Sequence, residues 1–128
     1  MKWLLILTGL LMHLSAFVYG QRNDSLEVLG REIIQHRIEG IEDNIEGTRD
    51  PGELTEILEY RLQHPLNINN ASREELEELD LLTLIQIKNL LSYREKYGIF
   101  YTIFELKAID GFERGSIERI MPFVNVAP

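Results

Sequence analysis

The chain has 128 residues, 45% of them hydrophobic, and a formal charge of −8, enough for one small folded domain plus appendages. Residues 21–64 carry five Arg against eleven Asp and Glu, and residues 65–128 carry seven Lys and Arg against ten, so neither half has the basic excess of a protein that lives on nucleic-acid backbone. With no cysteine, disulfides, thiolate metal sites and a Cys nucleophile are all excluded.

At the N-terminus, Lys2 precedes an apolar run from Trp3 to Leu14, and the small residues Ser15 and Ala16 follow. Val18 and Gly20 then stand where a signal peptidase reads small residues before a cut at Gln21. This layout predicts a signal peptide over residues 1–20 and a mature chain that is secreted or held in the periplasm or cell envelope. The alternative is a retained anchor. Trp3–Tyr19 is at the short limit for a span of ~20 residues, and only in that case does the chain have a membrane partner.

Residues 21–64 read as an acidic helical region. Leu26, Leu29, Ile33, Ile34, Ile38 and Ile41 recur at three- and four-residue steps, the stripe of an amphipathic helix, with Asp24 or Ser25 as its cap. The string from Glu46 to Gly52 breaks it. Asp50 then caps a second helix with Pro51 at its first position, striped by Leu54, Ile57, Leu58 and Leu62. His64-Pro65 ends that helix, because the residue before proline avoids helical geometry.

From residue 65 to 125 the pattern is a duplication. Leu66 to Asn70 form an extended lead-in whose Leu66 and Ile68 tuck under the next helix. Ser72-Arg73-Glu74-Glu75 is a capping box, Asp80 to Thr83 turn the chain, and Thr83-Leu84-Ile85-Gln86 is a second box. That box opens the longest helix, Leu84 to Tyr97, with Ile87, Leu90, Leu91 and Tyr93 inward and Gly98 as its terminator. Thirty positions on, Thr102-Ile103-Phe104-Glu105 repeats the opening, Asp110-Gly111-Phe112-Glu113 repeats the turn, and a last helix runs to Pro122. A repeat of this period marks a duplicated supersecondary unit that cannot bury its apolar face alone. Two copies are therefore expected to close face to face with their bends side by side. No stretch alternates with period two, so the expected fold is all-α.

The string Leu66-Asn67-Ile68-Asn69-Asn70-Ala71-Ser72, the helix end Tyr93-Arg94-Glu95-Lys96-Tyr97-Gly98 and Phe104-Glu105-Leu106 resemble the helix-hairpin-helix domain of ComEA-like competence DNA receptors. The resemblance implies a tandem, pseudo-twofold helix-hairpin-helix domain. It also implies duplex DNA as the partner, gripped without base readout through hairpin backbone amides and helix N-termini. The candidate contacts so implied are Thr83, Lys88, Gly111, Phe112, Arg114 and Gly115, with backbone amides around Thr83 and Phe112 on the phosphates. The family hairpin has an apolar residue, any residue, Gly, an apolar residue and Gly. The first hairpin here, Leu79-Asp80-Leu81-Leu82-Thr83, has neither glycine, and the second, Ile109-Asp110-Gly111-Phe112-Glu113, keeps only the first.

Blander readings stand beside these. Gly111 can be a plain left-handed turn position. Lys88, Arg94, Lys96 and Arg114, interspersed with acids, can be a mixed-charge solvated face. Tyr93, Tyr97, Phe100, Tyr101 and Phe104 read first as core. Glu74, Glu75, Glu77 and Glu78 suit a helix start better than a cation site. His36 and His64 stand on different helices with no partner histidine at ligand spacing, so no metal is expected. No nucleophile–base pair, phosphate loop or dinucleotide fingerprint occurs, so neither an enzyme, a cofactor nor a small-molecule substrate is expected. The alternative to DNA binding is a protein-interaction scaffold of the same fold.

Overall fold

A computed structural model describes residues 24–40 and 49–128. The predicted signal peptide, Ile41 and most of the predicted break before Asp50 lie outside the described residues. A helix, α1, covers residues 24–40. It is followed by α2 (Pro51–Gln63), β1 (Leu66–Asn67), α3 (Arg73–Glu78), α4 (Leu84–Tyr97), a 3-10 helix (Ile103–Ala108), α5 (Arg114–Ile120) and β2 (Val124–Asn125). The fold is all-α in class, as expected.

The helix starts follow local chemistry. Asp50 accepts the Glu53 amide at 3.1 Å, and Pro51 opens α2. Ser72 and Glu75 form the reciprocal box of α3, at 3.1 and 2.9 Å, and Thr83 and Gln86 form that of α4, at 3.2 and 2.8 Å. Glu74 is drawn in too: hydrogen bonds from its own backbone amide and from Ser72 hold its carboxyl below the usual carboxylate range. Gly98 ends α4 with φ 90, a conformation only glycine adopts without strain. Arg94, in the last turn of α4, donates to the carbonyls of Ile68 and Ala71, both at 2.9 Å, so it anchors the lead-in and is not a surface cation.

Two features were not expected. The lead-in is extended with Leu66 and Ile68 buried, as expected, but it also pairs in parallel with the tail as a two-residue strand, Leu66 opposite Val124 and Asn67 opposite Asn125. Strands this short carry no period-two signal, which is why the sequence hides them. Their purpose is closure: Leu66 donates to Phe123 at 2.9 Å and Ile68 to Asn125 at 3.1 Å, tying the start of the duplicated unit to its end. The first helix of the second repeat is the tighter 3-10 form, a geometry favoured in short pieces. Glu105 pins its entry by accepting the amides of Tyr101 and Thr102 at 2.9 and 2.8 Å.

One core joins both repeats. Leu54, Leu58, Ile68, Leu76, Leu79, Ile87, Leu90, Leu106, Ile120 and Phe123 are fully buried, and Phe100 lies between the repeats. The aromatic cluster around Gly98 splits. Phe100 is buried and stacks on half-buried Tyr93, while Tyr97, Tyr101 and Phe104 are more than half exposed. The expectation that the cluster is core therefore holds for two of its five rings.

α1 is packed down by Ile34, which is buried, and by Ile33 and Ile38. Gly30 faces α2 and the end of α5 so closely that an added Cβ would land on Leu62 Cδ1 and lie 3.1 Å from Pro122 Cβ. Gly30→Val is therefore expected to loosen α1 and lower stability by about 1–3 kcal/mol, as overpacking does. Denaturant unfolding measures this, and an unchanged midpoint would place α1 off the core.

Candidate nucleic-acid interface

The two bends lie side by side, because a single side chain reaches both. Gln86, in the first turn of α4, accepts the Thr83 amide at 2.8 Å through Oε1. Its Nε2 donates to the Gly111 carbonyl at 2.8 Å and to Ser116 Oγ at 3.0 Å. Asn89, one turn on, donates to the Asp110 carbonyl at 2.9 Å. Residues three apart share a helix face, so α4 presents two amide side chains to the second bend.

The bends are built differently. In the first, Asp80 takes the left-handed conformation with φ 51. In the second, that role falls to Gly111 with φ 89, one position later in the repeat register. Leu81 stands where the glycine would be and is buried, so the turn moves back onto Asp80, a residue type that tolerates positive φ. The chain then covers this bend itself. Arg37 of α1 pairs with Asp80 at 2.7 Å, and Arg49 donates to the Glu78 carbonyl at 2.8 Å. A cleft of about 400 Å³ between α1 and the bend is lined by Leu29, Ile33, Arg37, Asp80, Leu81 and Arg119.

The second bend is open. Ile109 and Phe112 are buried and hold it to the core, while Asp110, Gly111, Glu113, Arg114 and Gly115 are exposed. No side chain caps α5 at Glu113, and a Cβ on Gly115 would meet nothing within 4 Å. First-turn amides that a cap leaves free must look to solvent or a ligand.

The six candidate residues have the following places. Thr83 is consumed as a cap, its hydroxyl on the Gln86 amide and its own amide on Gln86. The Phe112 amide is also engaged, donating to the Ile109 carbonyl at 3.1 Å. The amides of Thr83 and Phe112 themselves are therefore engaged within their own turns, and an amide around them, not these two, is left for phosphate. Lys88 is exposed, without an ion-pair partner among the described residues. Gly111, Arg114 and Gly115 share the open bend. Arg114 is 84% exposed and meets Glu118 at 2.7 Å, a hydrogen bond that pushes the guanidinium pKa further up. Exposed pairs of this kind exchange readily with solvent and ligands.

Gln86 and Asn89 escaped the sequence reading as site residues. Gln86 was legible only as the fourth member of a capping box, and nothing local marks Asn89. Among the described residues, no group of His, Cys, Asp and Glu could hold a metal ion, and no helix is long and apolar enough to cross a membrane.

No solved structure matches this chain. A family model described as the helix-hairpin-helix motif matches residues 62–125, half of the chain and the whole of both bends. With two helical units joined by adjacent bends over those same residues, the chain belongs to the helix-hairpin-helix motif family.

Proposed function

We propose that the chain is a non-enzymatic, ComEA-like protein, secreted or resident in the cell envelope, that binds duplex DNA without base readout. The second bend does the binding. One observation carries the reading: within a helix-hairpin-helix unit, this bend keeps its left-handed glycine, turns its carbonyls of residues 110 and 111 toward α4, and leaves α5 uncapped beside exposed Arg114. A phosphate suits such a bend because the outward side carries amide dipoles while the two carbonyls are held by α4. Lys88 and Arg114 supply the neutralising charge. The first bend takes no phosphate, since Asp80 faces it and Arg37 already occupies it.

The chain without residues 1–20 is titrated with short random-sequence duplex at low salt and then at rising salt. Retention that weakens steeply as salt rises is the expected result. No retention at low salt rejects this reading in favour of a protein-interaction scaffold. That second reading has its own support in the charge of −8 and in the exposed rings of Tyr97, Tyr101 and Phe104, a residue type enriched at protein interfaces.

A further inference from the structure

We propose that Gln86 and Asn89 are positioning residues that aim the Gly111 N–H at the bound phosphate. The inference rests on the DNA-binding reading and adds the side chains that orient the contacting amide. A trans peptide points its C=O and N–H in opposite directions, and no peptide in the described chain is cis. Asn89 holds the Asp110 carbonyl toward α4 at 2.9 Å, so the Gly111 N–H on the same peptide points away from α4. Gly111 is exposed, and its amide has no acceptor among the described residues. Gln86 holds the next carbonyl, that of Gly111, at 2.8 Å, and the opposed Phe112 N–H closes the turn on Ile109. The two side chains thus sort the bend. Both carbonyls that would repel a phosphate face the protein, and one amide faces out.

The pair also explains a buried polar side chain in a small core. Gln86 is only 7% exposed, yet every polar atom on its amide is used, one side on the first bend and the other on the second. A leucine would fill the same volume, but it would leave the Gly111 carbonyl without its partner and that peptide held only by the Phe112 N–H on Ile109. Gln86 therefore orients the bend and keeps the two bends in one fixed relation.

The test uses the full chain labelled with ¹⁵N and a short random-sequence duplex at low salt. In the unmodified chain the Gly111 amide resonance is expected to move on titration. Asn89→Leu, close to isosteric and without change of charge, is expected to abolish that movement and weaken binding about tenfold, as loss of one hydrogen bond to a charged group does. The Arg114 side-chain resonance still moves, because the charge contact survives. Asn89 is only partly buried, so this variant keeps its fold even where Gln86→Leu does not. An Asn89→Leu chain that binds within twofold and shows the same Gly111 movement overturns the positioning role and leaves the DNA reading intact. An unmodified chain with no resonance moved by duplex overturns both.

Discussion

Arg114→Glu is expected to weaken retention on random-sequence duplex by at least about tenfold at low salt and to lower the salt slope by about one. Arg114 is a cation on the open bend, with 84% of its side chain exposed and Glu118 as its ion-pair partner. Reversal turns an attraction into a repulsion at the point where phosphate charge is nearest. It sets the new carboxylate one helical turn from that of Glu118, a like-charge pair on an exposed helix surface, which is a small structural penalty. The fold is therefore expected to survive, and the far-ultraviolet dichroism and unfolding midpoint should stay close to those of the parent. Arg31→Glu makes the same change in net charge on α1, where Arg31 pairs with Glu27. Equal losses in the two variants would reduce the effect to net charge and remove the second bend from the interface.

Phe100→Ala is expected to lower stability by about 3–5 kcal/mol, the range for truncating a buried aromatic. Such a loss is a large part of the ~5–15 kcal/mol that holds a small domain together. Phe100 is 1% exposed and stacks on Tyr93 with centroids 5.5 Å apart. Its backbone is locked as well. Its amide donates to Asn69 Oδ1 at 2.7 Å, and its carbonyl accepts from Asn69 Nδ2 at 2.9 Å. Those bonds prevent the chain from collapsing into the space a lost ring leaves, so the cavity persists and the cost stays high. Phe100 also sits on the segment between the repeats, where no second aromatic is fully buried nearby in the chain. Urea denaturation followed by dichroism gives the number. A loss below ~1.5 kcal/mol would mean that the site relaxes and that the two repeats do not share one core.

The local grammar of the fold was legible in the residues. Asp50-Pro51, Ser72 with Glu75 and Thr83 with Gln86 announce helix starts because a cap joins atoms three residues apart. Gly98 announces a stop for an equally local reason, its backbone conformation. Ile87 and Leu90 were assigned to the core by periodicity and are fully buried. Even the Thr102–Glu105 signal marks a real start, though it opens a 3-10 helix, since the capping pattern does not report helix pitch.

The candidate site was legible only in part. Gly111, Arg114 and Gly115 stood out by residue type and register, and all three line the open bend. Thr83 and Phe112 were placed on the phosphate side, although their amides are spent closing turns, a matter of peptide orientation that residue type does not encode.

Sequence alone thus determined the duplicated helical units, their caps and stripes, and the position of each bend, since all of these arise from interactions within about one helical turn. Tertiary structure decided which bend is open. Arg37 reaches Asp80 across 43 residues, Gln86 reaches Gly111 across 25, and β1 meets β2 from opposite ends of the duplication. Contacts over such separations depend on how packed elements meet in space, and no spacing along the chain records that.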